Sequence, residues 1–237
     1  MAIKKLTIEE FLPLAKEFPV LDVRSPGEYN HAHIPGAYSL PLFTDEERKV
    51  VGTMYKQQSR EAAIKIGLDY FGVKMKKMVE EAESITANHK LQTSNLKHET
   101  SNTVLVHCWR GGMRSAGVAW LLDLYGFKVY TLVGGYKAYR KWALAQFEKE
   151  YSFQIIGGFT GSGKTEVLQA LPGAGHTIIN LEALASHKGS AFGAIEGKPQ
   201  PKQEMFENLL AHALAGTGYR IQDQESGIPQ PTSCIWI

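Results

Sequence analysis

Nine consecutive residues, His107-Cys-Trp-Arg-Gly-Gly-Met-Arg-Ser115, bring together a thiol, two guanidinium groups and two adjacent glycines. Cys108 is the nucleophile of the set. A thiol attacks as its thiolate, which is favoured where backbone N–H groups, a helix N-terminus or cations surround the sulfur. Gly111 and Gly112 permit the φ values of a tight loop. The backbone amides from Arg110 through Gly111, Gly112, Met113, Arg114 and Ser115 can then turn inward as an anion cradle. Arg110 and Arg114 can add charge or clamp an oxyanion with a paired fork. A lone cysteine closing a buried strand is often inert; the twin glycines and two nearby arginines weigh toward a reactive one. A second stretch, Gly158-Phe-Thr-Gly-Ser-Gly-Lys-Thr165, fits G-x-x-x-x-G-K-[ST] without departure. Gly158, Gly161, Ser162 and Gly163 would wrap a di- or triphosphate with backbone N–H groups. Lys164 would reach the terminal oxygens and Thr165 could hold Mg²⁺.

Both loops need a strand before them and a helix after them, and the hydrophobic pattern provides both. Thr103-Val-Leu-Val-His107 is an uninterrupted β-branched run, and Ser115 to Tyr125 has helical spacing stopped by Gly126. Lys128–Val133 predicts a further strand, followed by Gly134-Gly135 and an amphipathic helix from Tyr136 to Phe147. Upstream, Thr7-Ile-Glu-Glu10 is a capping-box helix start and Thr44-Asp-Glu-Glu47 another capping signature. Phe18–Val23 is a short strand broken at Arg24-Ser-Pro-Gly27, Glu28 begins a turn-rich stretch ending at Ile34-Pro-Gly-Ala37, and Ser39–Leu42 is a short extended piece. Phe153–Ile156 is the strand entering the glycine loop, and Glu166–Leu171 is the helix leaving it. Ile178–Glu182 reads as a strand ending in an acid able to orient Mg²⁺, with Asp223 and Glu225 as other candidates. Strand–helix alternation of this kind argues for parallel sheets.

The chain divides into two expected domains. The first, residues 1–145, carries a basic helical insertion at 44–102; the second is 152–237. Residues 48–77 hold eight basic side chains (Arg48, Lys49, Lys56, Arg60, Lys65, Lys74, Lys76, Lys77) against the acids Glu61 and Asp69. This is either a solvated helical face or a phosphate-tracking patch for nucleic acid. Tyr55, Tyr70 and Phe71 lie at helical spacing, so they read as core. Residues 90–102 read as a flexible surface loop. The stretch beyond Lys164 is short for a doubly wound phosphate-loop domain, so the second domain is expected to be truncated or altered, with an irregular tail from about residue 216. Cys234 in that tail has no assigned role.

Composition bounds the rest. The 237 residues are 43% hydrophobic and 21% charged, a globular balance rather than that of a disordered chain. No apolar run reaches the roughly 18–20 residues of a membrane helix, and no signal-peptide core is visible at the start. Two cysteines exclude a secreted disulfide scaffold and make a reducing, cytoplasmic setting the default. The sequence does not fix the oligomeric state.

The cysteine loop resembles that of the rhodanese family of sulfurtransferases. Leu21-Asp-Val-Arg-Ser-Pro-Gly-Glu-Tyr29 with His33-Ile-Pro-Gly-Ala37 resembles the family's N-terminal signature, and Val133-Gly-Gly-Tyr-Lys-Ala-Tyr-Arg-Lys-Trp142 its C-terminal one. Asp22, Arg24 and Glu28 read as residues that brace the loop. The resemblance implies an α/β fold: a rhodanese-like parallel sheet domain followed by an incomplete P-loop NTPase-like α/β domain. The His-Cys-x5-Arg-Ser spacing is also that of cysteine-dependent phosphatases, some of which share the fold. It makes a wider cradle than that of typical single-domain sulfurtransferases.

The pairing of the two loops in one chain resembles the tRNA 2-selenouridine synthase family. So do Val51-Gly-Thr-Met-Tyr-Lys-Gln57, Leu181-Glu-Ala-Leu-Ala-Ser-His-Lys-Gly-Ser-Ala-Phe-Gly193, Gln200-Pro201 and Phe206-Glu-Asn208. The resemblance runs from about Thr7 to Leu214. It implies replacement of sulfur by selenium in a wobble-position 2-thiouridine of tRNA, with selenophosphate as donor. It also implies an S-geranylated intermediate formed from geranyl diphosphate. On this reading Cys108 is catalytic, either carrying selenium covalently or assisting otherwise. Selenophosphate fits the wide cradle and geranyl diphosphate the loop at Lys164, with Mg²⁺ as a possible companion and no tightly bound cofactor or protein-held metal. The tRNA would meet Arg48, Lys49, Lys56, Arg60, Lys74, Lys76 and Lys77. Two other readings stay open: a rhodanese-fold cysteine phosphatase, and an inactive truncated protein that binds tRNA or a diphosphate.

Overall fold

A computed structural model describes residues 3–92, 102–159, 161–174, 176–187, 199–216 and 235–236. The chain separates into two compact units, Met1–Lys141 and Trp142–Ile237.

The first unit is built on five parallel strands in the order β1-β5-β4-β2-β3: β1 (Lys4–Leu6), β2 (Val20–Asp22), β3 (Tyr38–Ser39), β4 (Thr103–His107) and β5 (Lys128–Leu132). Strand β4 is central and buried along its whole length. It pairs with β2 (Leu21 opposite Val106) and with β5 (Leu105 opposite Tyr130). Parallel pairing sends all the carboxyl ends to one edge, the edge where open α/β sheets bind ligands. The loops after β2, β4 and β5 therefore converge. Strand β1 is absent from the sequence reading because only one of its three residues, Leu6, is buried.

Two of the helices start where their caps indicate. Helix α1 (Ile8–Leu14) has Thr7 as its cap and α3 (Asp45–Gln57) has Thr44, each with the reciprocal glutamate bond of a capping box. Helix α2 (Pro26–His31) forms in the stretch read as turns, opened by Ser25 and Pro26. Helices α3, α4 (Arg60–Gly72) and α5 (Met75–Gln92) make up the insertion. The insertion is not an appendage. Phe71, Met78, Val79 and Ala82 belong to the same buried cluster as Leu21, Val104, Val106 and Cys108. Tyr70 packs against that cluster, but Tyr55 is exposed, contrary to its reading as core. Helix α6 (Met113–Tyr125) follows the cysteine loop and ends at Gly126; α7 (Gly135–Gln146) follows β5.

The second unit holds short parallel strands in the order β6-β8-β7: β6 (Phe153–Gln154), β7 (Thr177–Ile178) and β8 (Ile235–Trp236). Its helices are α8 (Lys164–Ala170), α9 (Leu181–Ala185) and α10 (Gln203–Gly216). Ile179 and Leu214 are buried together, with Tyr151, Leu184, Leu210 and Ala213 around them. Two features correct the sequence reading. Ile178–Glu182 is not a strand ending in an acid: Asn180 Oδ1 accepts the Ala183 N–H at 2.9 Å and starts α9, which puts Glu182 in the first turn of a helix. Strand β8 lies in the stretch read as irregular. Helix α10 also went unread, although Asn208, Ala211 and Leu214, its buried positions, repeat at helical spacing. Of the surface loop expected at 90–102, residues 90–92 are instead the last turn of α5; residues 93–101, Asp223, Glu225 and the tail at 217–234 lie outside the described residues. Among the described residues no helix is long and apolar enough to cross a membrane.

Candidate active site

Cys108 leaves the end of β4 and is 3% exposed. The loop that follows is pinned to the start of α7: Tyr136 N–H donates to the Cys108 carbonyl at 2.8 Å and Lys137 N–H to the Trp109 carbonyl at 3.0 Å. This contact is so close that a Cβ on Gly135 would lie 2.2 Å from the Cys108 carbonyl oxygen, and one on Gly111 2.6 Å from that of Leu132. Both glycines have positive φ, +58° and +66°. Gly112 does not need its freedom in the way the sequence suggests. Its φ is −100° and it serves as the cap of α6.

The sulfur faces hydrogen-bond donors. Burial alone would raise the Cys108 pKa. The Ser115 hydroxyl and the backbone N–H groups of Ser115, Gly112 and Arg110 outweigh that effect and hold the thiol below its ordinary range. Ser115 Oγ lies 3.2 Å from Sγ and 3.1 Å from the Gly112 carbonyl, which can only accept. A single hydroxyl proton serves one of these at a time. With a thiol, S–H donates to Oγ and O–H to Gly112; with a thiolate, O–H turns to sulfur.

The two arginines differ. Arg110 is exposed and has no ion pair among the described residues. Arg114, read as an oxyanion clamp, has its fork on Glu28, Nη1 to Oε2 at 2.7 Å and Nη2 to Oε1 at 3.4 Å. Arg48 Nε reaches the same Glu28 Oε2 at 2.9 Å, and the Ser25 N–H donates to it at 3.2 Å. Glu28 thus bridges the cradle and the insertion. Burial opposes its charge, yet Arg114 and these partners hold its pKa below the usual carboxylate range.

Behind the loop lies a buried charge pair. Arg24 donates to Asp22 from Nε at 2.9 Å and Nη2 at 2.6 Å, and Nη2 also reaches the Ala32 carbonyl at 2.8 Å. Asp22 is lowered despite its burial, by His107, 3.7 Å away, and by Arg24. Burial pushes the His107 pKa down. The Arg24 guanidinium sits 3.9 Å from the Tyr136 ring centroid. Tyr136 in turn supports Trp109, with ring centroids 5.6 Å apart. This stack under the cysteine loop joins residues from the ends of β2, β4 and β5, and the sequence shows it only as separate motifs.

Of the seven cations expected to meet tRNA, Arg48, Lys74 and Lys76 are ion-paired with Glu28, Glu47 and Glu80. Lys49, Lys56, Arg60 and Lys77 are exposed, and Arg60 lies beside Glu61.

In the second unit the glycine loop folds back on its own lysine. Lys164 Nζ donates to the carbonyls of Gly158 and Phe159, both at 2.9 Å. Gly158, Gly161 and Gly163 all have positive φ, and Ser162 N–H closes the turn on the Phe159 carbonyl at 3.2 Å. Thr165 is exposed in the first turn of α8. An open cavity of about 390 Å³ is lined by Ala185, His187, Gln200, Pro201, Gln203 and Phe206. Among the described residues no cluster of His, Cys, Asp or Glu could hold a metal ion.

Residues 7–141 match the rhodanese-like domain family, and residues 151–225 match the family described as tRNA 2-selenouridine synthase AAA domain. The tRNA 2-selenouridine synthase of Nitrosomonas europaea is 40% identical over 197 residues, covering 81% of this chain and 48% of that protein. That of Bdellovibrio bacteriovorus is 38% identical over 221 residues, covering 90% of this chain and 54% of that protein. The chain thus spans about half the length of these relatives. Among solved structures, the N-terminal domain of a candidate ATP/GTP binding protein from Clostridium difficile 630 is 38% identical. It superposes with a TM-score of 0.50 and covers 60% of this chain and 99% of that one.

Proposed function

Because the chain belongs to the rhodanese-like family and carries the AAA domain of tRNA 2-selenouridine synthases behind that fold, we propose that it replaces sulfur by selenium in the wobble-position 2-thiouridine of tRNA, with selenophosphate as the selenium donor. The observation that carries the proposal is the presence, in one chain, of a thiol held below its ordinary pKa in an amide cradle and a complete G-x-x-x-x-G-K-T loop.

The chemistry divides between them. The loop from Gly158 to Thr165 binds the diphosphate of geranyl diphosphate, and Lys164 leaves the Gly158 and Phe159 carbonyls to neutralise the leaving group. Thr165, exposed in the first turn of α8, would hold a Mg²⁺ ion, which would supply further positive charge to the diphosphate. The thiouridine sulfur attacks the first carbon of the geranyl chain, the carbon–oxygen bond breaks, and diphosphate departs. The alkylated sulfur is then a leaving group. The cradle from Arg110 to Ser115 binds the phosphoryl oxygens of selenophosphate with its amides. Cys108 serves the second step, in which the selenium of selenophosphate attacks the base carbon, the carbon–sulfur bond breaks and geranylthiol leaves; water then cleaves the selenium–phosphorus bond and phosphate is released. Lys49, Lys56, Arg60 and Lys77 take tRNA phosphates, an attraction that weakens with salt.

Mass spectrometry of tRNA incubated with the chain, selenophosphate and geranyl diphosphate tests this directly, since the two products differ in mass. Cys108→Ser is expected to abolish selenation and spare geranylation, and Lys164→Ala to abolish geranylation. Equal loss of both products in Cys108→Ser counts against separate sites. The His-Cys-x5-Arg-Ser spacing supports a second reading, a cysteine phosphatase. That reading requires turnover of an aryl phosphate that disappears in Cys108→Ser. Retained tRNA binding with neither activity is the signature of a binding protein.

A further inference from the structure

We propose that Trp109, with Arg110 and Lys137, forms the seat for the target nucleotide: the indole stacks the base that approaches Cys108, and the two cations take its flanking phosphates. The inference deepens the tRNA reading and rests on it.

The first observation is the state of the indole. Trp109 follows the candidate nucleophile directly, yet 38% of it stays exposed while Cys108 is 3% exposed. A large apolar ring at the rim of a buried reactive group is a platform in want of a planar partner. The second is its rigidity. Its carbonyl is fixed by Lys137 N–H, and its ring lies against Tyr136 at 5.6 Å and 34°. Tyr136 is fully buried, packs on Tyr139 at 5.7 Å and carries the Arg24 guanidinium 3.9 Å from its centroid. The indole is therefore held in place before anything binds, which lowers the ordering cost of stacking. The third is charge. Arg110 adjoins Trp109 in sequence, and the Lys137 amide bonds its carbonyl. Both side chains are exposed and lack ion pairs among the described residues. Glu28, the acid bonded to the cradle, is already bridged by Arg114 and Arg48. An exposed aromatic ring with cations close by is the arrangement that binds single-stranded nucleic acid, the aromatic taking the base and the cations the backbone.

The test uses two short single-stranded RNAs, one with a central 2-thiouridine and one abasic at that position, titrated against the full chain by fluorescence anisotropy. Wild type is expected to prefer the thiouridine RNA by on the order of ten-fold. Trp109→Ala should bind both RNAs equally, and Trp109→Phe should keep most of the preference. Arg110→Gln and Lys137→Gln should weaken both RNAs to the same extent and reduce the salt slope by about one each. An unchanged far-UV circular dichroism spectrum and urea midpoint of the first unit show that the fold is kept in each variant. A preference that survives in Trp109→Ala overturns the stacking role. Failure of wild type to prefer the base overturns the seat even if tRNA is selenated. A Trp109-dependent preference in a chain that never selenates tRNA instead overturns the activity and keeps the seat.

Discussion

At the scale of the residue, the chemistry turns on one proton shared around Ser115. A thiol sulfur is a weak acceptor, and the hydroxyl then has the Gly112 carbonyl to donate to; a thiolate draws the hydroxyl proton to itself, so Ser115 stabilises the thiolate selectively. A hydrogen bond to a charged acceptor is worth ~1.5–3 kcal/mol. Ser115→Ala is therefore expected to move the inflection of the alkylation-rate profile upward in pH, toward the free-thiol value, and to slow alkylation at neutral pH by on the order of ten-fold. The sign follows from linkage. A Cys108 pKa below its ordinary value means that, between the two, the folded chain holds a thiolate where the unfolded chain holds a thiol. The unfolded state then binds more protons, and stability rises with pH across that window. Ser115→Ala narrows the window. A profile that does not move would assign the lowered pKa to the backbone amides alone. The same scale separates the two arginines. Arg114 spends both forks on Glu28 and acts on the cradle as a positioning residue, whereas Arg110 remains available to an incoming anion.

At the scale of the element, the site depends on a turn pressed against a turn. The loop after β4 and the glycine pair before α7 approach so closely that Gly135 leaves no room for a methyl group beside the Cys108 carbonyl, while nothing lies within 4 Å of a Cβ on Gly112. Gly135→Ala is accordingly expected to destabilise by more than the ~1 kcal/mol typical of point mutations and to abolish cysteine reactivity. Gly112→Ala should remain within about 1 kcal/mol of wild type. Chemical denaturation of the two variants checks both, and equal effects would remove the distinction between the twin glycines. These contacts also show what a sequence reveals. Strand β4, helix α6 with its Gly126 stop, and the caps at Thr7 and Thr44 are legible because each is set by neighbours a few residues away. The bridge from Glu28 to Arg114 spans 86 residues, and Arg48 and Lys74 find partners only when α3 packs into place. Such pairings leave no local trace, so cations counted as free in the sequence are engaged in the structure. Residues 178–182 fail for the opposite reason: a local cap, Asn180, overrides a β-branched run that looks like strand.

At the scale of the whole molecule, the two units differ in how much holds them together. The first unit shares one large buried cluster among strands β2, β4 and β5 and helices α4, α5 and α6. Among its described residues the second buries only Ala143, Leu168, Ile179, Ala211 and Leu214 as apolar side chains, and its strands are two residues long. Apolar burial stabilises by ~25 cal/mol per Å² removed from water, so the second unit should be the less stable. Urea unfolding is therefore expected to show two transitions, the second unit melting first, with Trp142, whose ring meets His212, reporting on it and Trp109 and Trp120 on the first. Ligands should then sort the transitions. A diphosphate with Mg²⁺ at 100 times its dissociation constant adds ~2.7 kcal/mol to whichever unit binds it, and it should delay only the early transition. A tetrahedral oxyanion taken up by the cradle should delay only the late one, and Cys108→Ser should leave the early transition unmoved. A single transition shifted alike by both ligands would mean that the units fold as one, and the assignment of a separate anion to each loop would fail with it.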